Sequence, residues 1–255
     1  MPGIDRLVAR NGGAMTYWGT NTYVVTTGKG TVVIDPGPDD PAHVTAIINA
    51  VPQIDFILIT HQHRDHRGAA PALKAASGCL VYAGGPGEDP PFDPDVVLTD
   101  GASAGGLTAL YTPGHAPDHF CFTIGDRTLF SGDHVMGWAS TSVFPPGGDM
   151  AIYIRSLEML RARADRLLLP GHGPAITDPS PHIDLLLRNR MAREQSILSA
   201  LREREATAAE LVRALYAPRD ERLRRPAERT VLAHLIKLEA EGRASVTGET
   251  WRALP

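Results

Sequence analysis

Four apolar runs of strand length in this 255-residue chain each end in residues able to bind a metal ion. Residues 55–60 (DFILIT) run into His61, and residues 107–112 run into Pro113-Gly114-His115. Residues 127–131 run into Gly132-Asp133-His134, and residues 166–169 into Pro170-Gly171-His172. Strand ends on a rigid sheet are places where side chains can be held precisely. One such ending is an ordinary core or surface histidine. Four of them constrain the fold, because they read as parts of one site.

The rest of the chain supplies the frame. Residues 22–27 and 30–34 read as two strands turned at Gly28-Lys29, and 41–51 as a helix. Residues 68–77 read as a helix and 79–83 as a strand. Residues 119–124 and 127–131 form a hairpin across Gly125-Asp126. Residues 149–163 read as a helix with Asp149 as its N-cap. After Ile183 the composition shifts to Ala, Arg, Glu and Leu, with helical periodicity to about Leu201. Thr207-Ala208-Ala209-Glu210 is a capping box opening a helix over 208–216, ended by Pro218. Pro226 is placed as the N1 proline of a helix over 227–241, with Gly242 as its stop. Residues 244–247 and 250–254 read as a short hairpin. Three helices followed by a two-stranded hairpin form a winged-helix arrangement. The expected division is therefore 1–186 for a catalytic domain and 187–255 for a winged-helix-like C-terminal domain.

The run His61-x-His63-x-Asp65-His66 puts four metal-competent side chains into six residues. Alternate positions on an extended segment point the same way, so His61 and His63 reach one ion. Asp65 and His66 follow the bend and face a second. Adding His115, Asp133 and His172 gives three histidines for one ion, Asp65 with two histidines for the other, and Asp133 to bridge. Neutral imidazoles and carboxylates suit zinc, and also iron or manganese. Two ions roughly 3.5–4 Å apart can share a hydroxide whose pKa is near 7. That hydroxide is the expected nucleophile, with Asp65 orienting it and Asp133 setting the ion separation.

These motifs, THQHRDH, TPGHAPDH, SGDH and LPGHGP in this order, resemble the signature of the metallo-β-lactamase superfamily, and Asp35 in IDPGP matches its first, supporting motif. The resemblance covers about 21–174. It implies an α/β fold, a four-layer αβ/βα sandwich with the site at one edge of the two sheets. Carried over residue by residue, it implies His61, His63 and His115 at one metal, Asp65, His66 and His172 at the other, and Asp133 between them. The tail, including TAAELVRALY and VLAHLIKLEAEGRA, is similar to the C-terminal part of the lactamase-beta-like protein 2 group. That similarity implies an endoribonuclease acting on single-stranded RNA. The alternative is a glyoxalase II-like hydrolase of small acyl substrates: a thioester, lactone or β-lactam.

Further residues are candidates by position. His119, His134 and Asp118 flank ligands, and are expected to hold them by hydrogen bonds or to meet substrate. Asp35 is expected to satisfy a hydrogen bond behind the metal loop. Trp138 and Phe144 follow Asp133 and are placed to stack on a base or to pack. Arg188, Arg190, Arg193, Arg222, Arg224 and Arg225 are candidate phosphate contacts, against a bland reading as solvated helix faces. Residues 1–187 carry 11 basic and 19 acidic side chains, and residues 188–255 carry 14 and 10. The basic tail fits an anionic partner. Tyr216 and Trp251 are the tail's only aromatics, which argues for a cleft wall rather than a groove reader. No apolar run reaches 18 residues and no apolar leader is visible, so the expectation is a cytoplasmic protein without a membrane span. Cys79 and Cys121 are read as buried small hydrophobes. A homodimer is the common assembly for such chains.

Overall fold

The computed structural model describes residues 3–85, 91–125, 127–216 and 224–255. The first sheet contains β1 (Gly3–Val8), β2 (Asn21–Thr27), β3 (Gly30–Ile34), β4 (Phe56–Leu58), β5 (Leu80–Ala83) and β6 (Val96–Val97), paired in that order. β1 to β3 are antiparallel, and β3 to β6 are parallel. Parallel neighbours need crossovers. Helix α1 (Pro41–Ala50) supplies one, and the pair α2 (Arg64–Arg67) and α3 (Ala70–Ser77) supplies the next.

The second sheet has β7 (Ser103–Ala104), β8 (Leu107–Tyr111), β9 (Phe120–Ile124) and β10 (Thr128–Gly132) in antiparallel succession. β11 (Leu167–Pro170) joins β10 in parallel after helix α4 (Met150–Arg163). Side chains alternate across each sheet. Val25, Val32 and Ile34 therefore meet Leu107, Phe122 and Phe130 between the sheets. Val24, Val33 and Ile57 face outward against Ile47 and Leu73 of α1 and α3. Leu129 and Leu168 face outward against Tyr153 and Leu157 of α4, and against Ile183 and Leu186 of α5 (Pro179–Glu203). The layers are helix, sheet, sheet, helix, as the α/β reading expects.

Helix α5 continues without a break across residues 186 and 187. Its far end packs Ile197, Leu198 and Leu201 against α6 (Ala208–Leu215), α7 (Arg224–Ala240), β12 (Ala244–Thr247) and β13 (Thr250–Ala253). That second core is a winged helix. The Thr207 hydroxyl accepts from Glu210 N–H while Glu210 accepts from Thr207 N–H, so the capping box is formed. Asp149 caps α4 by accepting from Ile152 N–H at 2.9 Å.

Several expectations needed correcting. Strands β1, β6 and β7 were not anticipated; each is a sheet edge or a two-residue ladder, too short or too exposed to show a pattern. The helix expected over 68–77 is α3, which begins at Ala70, and a separate short helix, α2, precedes it, closed by Gly68 N–H on Arg64 O. The described part of α7 begins at Arg224, so Pro226 is not its first residue. Asp126, Pro218 and Arg222 lie outside the described residues.

Candidate metal centre

The sheets deliver their C-terminal ends to one edge. After β4 the chain places His61 and His63, and Asp65 and His66 sit in α2. His115 follows β8, Asp133 follows β10 and His172 follows β11. Gly132 sits at φ +49°, and a Cβ there would stand 2.6 Å from His119 Nε2. Only glycine therefore allows the turn that aims Asp133.

All seven expected ligands come together. His61 Nε2 stands 2.8 Å from His63 Nδ1, and His115 Nε2 stands 3.2 Å from that same atom. His172 Nε2 is 3.2 Å from both Asp65 Oδ2 and His66 Nε2. Asp133 lies between the groups. Its Oδ2 is 3.8 Å from His115 Nε2, and its Oδ1 is 3.4 and 3.5 Å from His66 and His172 Nε2. His61, His66 and His172 are buried, whereas His63 is exposed, so the centre opens to solvent on the His63 side.

The outer hydrogen bonds show which ring nitrogens carry protons. Asp35 accepts from Thr60 N–H at 2.8 Å, from the Thr60 hydroxyl at 2.7 Å and from His66 Nδ1–H at 2.8 Å. With its proton on Asp35, the Thr60 oxygen accepts from His61 Nδ1–H at 3.0 Å. His115 Nδ1–H donates to Ser142 O at 2.7 Å, and His172 Nδ1–H donates to Gly19 O at 3.3 Å. In the neutral ring the other nitrogen then carries a lone pair. Four such Nε2 lone pairs converge on two carboxylates, and Asp133 Oδ1 is buried without a hydrogen bond. This arrangement is repulsive unless a cation or protons occupy it, so the residues fit a pair of metal ions.

The electrostatics agree. Burial, with the neighbouring His66, His63 and His115 rings, drives His61 well below its ordinary range. Burial and His115 bring His63 down to about 4. Burial also opposes the charged form of His66, but Asp133, Asp65 and Asp35 outweigh it and hold the ring well above its usual value. His172 is pushed up to about 9 by Asp133 and Asp65, against burial. Asp65 falls to about 2, and Asp133 well below the carboxylate range, because His66 and His172 outweigh burial. The negative potential that keeps protons on His66 and His172 is one that holds cations.

The flanking candidates take varied places. His119 Nε2 accepts from the Asp133 backbone N–H at 3.3 Å and its Nδ1 meets Thr112 Oγ1 at 2.9 Å, so it fixes the Asp133 turn from behind. Asp118, raised by burial, bonds the backbone at Gln62, between His61 and His63. His134 does not make the expected hydrogen bond: neither ring nitrogen has a partner among the described residues. Burial keeps it near pKa 3, hence neutral, and it packs on Tyr153. Trp138 stacks on Tyr17 at 5.1 Å, and Phe144 lies 4.5 Å under the Arg229 guanidinium. Arg188 and Arg225 are exposed. Arg190 is not a solvated face residue: it is buried and donates to Thr141 O. Trp251 lies in the winged-helix core.

Sequence reasoning missed several residues that shape the site. Asn21 Nδ2 bonds Pro170 O at 2.8 Å and Gly173 O at 2.9 Å, clasping the loop that carries His172. The Thr141 hydroxyl donates to Asp133 O at 2.7 Å. Tyr17 and Trp18 pack at 4.6 Å beside the bridge between Thr20 and His172. Only the aromatic pair carried a visible signal, adjacent Tyr17 and Trp18 before Gly19.

Comparison with known proteins places this arrangement. Residues 15–172 match the Metallo-beta-lactamase superfamily, and residues 207–251 match the Beta-lactamase associated winged helix domain. The chain is 32% identical to the Drosophila melanogaster Beta-lactamase-like protein 2 homolog, over 96% of this chain and 90% of that protein. It is 34% identical to an Atrochrysone carboxyl ACP thioesterase of Aspergillus chevalieri, over 79% of this chain and 67% of that protein. The lactamase-like protein nscB of Aspergillus fumigatus is 35% identical over 81% of this chain, which spans 64% of that protein's length. Among solved structures, a metallo-beta-lactamase family protein from Thermus thermophilus superposes with a TM-score of 0.83 at 23% identity, covering 99% of both chains. A protein solved in a di-iron-bound form gives 0.59 at 29% identity, over 69% of this chain and 96% of that one.

Proposed function

The chain belongs to the metallo-β-lactamase superfamily, and on that premise we propose that it is a two-ion hydrolase that cleaves phosphodiester bonds of single-stranded RNA. His61, His63 and His115 would help hold one ion and Asp65, His66 and His172 the other, with Asp133, which lies between the two groups, serving the centre as well. Zinc is the ion we infer, with iron or manganese as the alternatives the donor set admits. Bound ions would supply Lewis acidity and lower the pKa of water at the centre. The chain's own work is positional. Asp35 and Thr60 orient two rings, Ser142 a third, and His119 with Thr141 hold the Asp133 turn.

The observation that favours a nucleic-acid strand is the aromatic shelf beside His172. Trp18 is 65% exposed, lies against Tyr17, and Tyr17 stacks on Trp138. An unpaired base presents a π-face to such a shelf whatever its sequence. The opposite rim carries Arg229 beside His63 and His115. The test is metal content per chain together with cleavage of a labelled single-stranded RNA, on wild type and Asp133→Ala. Two ions with cleavage, both lost in the variant, is the expected result. Full turnover by Asp133→Ala with both ions bound would refute the site.

A second reading is supported by the relatives named as atrochrysone carboxyl ACP thioesterases. Under it the centre hydrolyses an acyl thioester. Salt separates the two readings: RNA turnover at low substrate falls steeply with ionic strength, and a small neutral thioester is indifferent to it.

A further inference from the structure

A cavity of about 570 Å³ lies between residues 140–142, α5 and α7, outside the set of metal ligands. Its wall includes Ser142, Arg190, Arg193, Ser196, Tyr216 and Thr230, and no Asp or Glu among the described residues. Arg190 is 6% exposed. It donates through Nη2 to Thr141 O, and its Nε is buried with no partner among the described residues. Arg193 lies 3.6 Å over the Tyr216 ring and donates to Leu215 O at 3.5 Å. Glu194, one turn along α5 from Arg190, is committed to Lys237 and Arg243 at 2.7 Å each.

Two guanidinium groups, Arg190 buried and Arg193 half-buried, therefore line one half-open cavity, and no described carboxylate pairs with either. A buried charge without a counter-charge is unfavourable, and a hydrogen-bonding anion removes the penalty. The guanidinium fork and the surrounding hydroxyls match a phosphate, which accepts from several donors at once. The cavity is linked to the metal centre through Ser142, which lines it and whose carbonyl accepts the His115 Nδ1–H. An anion held there stands beside the centre and not on it.

We propose that this cavity is a phosphate subsite in which Arg190 and Arg193 hold a backbone phosphate of the substrate strand next to the bond being cleaved. The identity of the strand rests on the RNA reading above; the phosphate site itself does not. Arg190 also braces Thr141, so Arg193 is the residue to change. The measurements are calorimetric titration of inorganic phosphate into the metal-loaded protein, and KM and kcat for a labelled single-stranded RNA. They are made on wild type, Arg193→Gln, Arg193→Lys and, as a control of equal charge change on the same helix, Arg202→Gln.

Loss of one charge-assisted contact is expected to weaken phosphate binding and raise KM roughly tenfold or more in Arg193→Gln, with kcat little changed. Arg193→Lys is expected to recover part of the loss, and Arg202→Gln to match wild type. Phosphate bound only at the metals is insensitive to Arg193, so equal phosphate affinity and equal KM in Arg193→Gln would overturn the proposal. Arg193-dependent phosphate binding without any RNA cleavage would uphold the subsite and sink the RNA reading alone.

Discussion

Asp35→Asn isolates what the residues behind the centre do. The two side chains have the same shape, so only donors and acceptors change. In the native structure Asp35 Oδ1 accepts from Thr60 N–H, and Oδ2 accepts from both the Thr60 hydroxyl and His66 Nδ1–H. An asparagine keeps one oxygen. With that oxygen on the Thr60 amide, its NH2 faces the Thr60 hydroxyl and His66. Both can adapt without metal: His66, protonated on both nitrogens in the native metal-free site, gives up its Nδ1 proton and accepts there while keeping Nε2–H, and the Thr60 hydroxyl turns to donate to His61 Nδ1. All the hydrogen bonds are then made, so the metal-free variant is expected to lie within about 1 kcal/mol of wild type, which is about 2–4 °C in Tm for a chain of this size. The adaptation puts an N–H on His61 Nε2 and locks the one on His66 Nε2, where a bound ion needs lone pairs. Restoring the lone pairs leaves buried donors facing donors, at roughly 1–3 kcal/mol each. Metal affinity is therefore expected to fall by about ten- to a hundredfold, as is typical when the partner of a ligating histidine is changed. Competition with a chromophoric chelator, run beside a thermal melt of the metal-free protein, reads both quantities. Unchanged affinity would refute the tautomer argument, and so would a metal-free variant that has lost its fold.

Three further expectations follow from other parts of the chain. Despite burial, Glu194 is held at about 2 by His234 and Lys237, so its contribution is present above about pH 4.5 and lost as pH falls toward 2; acid denaturation of wild type is expected to show a loss across that window which Glu194→Gln lacks. Removing the hydroxyl in Thr207→Ala deletes half of the capping box and is expected to cost about 1 kcal/mol by urea denaturation, without affecting metal content. A Cβ at Gly171 would stand 2.7 Å from His66 Cε1 and 2.8 Å from Asp133 Oδ1, so Gly171→Ala is expected to cut metal stoichiometry, read by elemental analysis, while the protein stays folded by circular dichroism.

The parts of the site readable in the sequence share one property. His61, His115, Asp133 and His172 each follow an apolar strand, and periodicity marks both the strand and its end. The winged helix was readable because Thr207 and Glu210 form a local signal and Gly248-Glu249 turns a short hairpin. What stayed hidden depends on distant partners. Asn21 acts on Pro170 across 149 positions, and Arg190 on Thr141 across 49. Nothing local distinguishes Arg190 from its exposed neighbour Arg188, since only packing decides which side of α5 faces the 140–142 segment. β1 escaped for the opposite reason: as an exposed edge strand it needs no apolar alternation to pair with β2.

Those distant contacts also tie the C-terminal domain to the segment beside the candidate metal ligands. Arg190 donates to Thr141 O, the Thr141 hydroxyl donates to Asp133 O, and the next carbonyl, that of Ser142, accepts the His115 proton. Arg229 of α7 reaches over Phe144 to donate to Pro145 O at 3.0 Å. Residues 141–145 are thus gripped by metal ligands on one side and by α5 and α7 on the other. One face of α7 turns Val231, Leu235 and Leu238 into the winged-helix core, where Trp251 joins them, while its Arg229 is committed to the 141–145 segment. That grip supports the expectation of a cleft wall rather than a groove reader. On that expectation, changes at the arginines of α5 or α7 alter KM before they alter the chemical step.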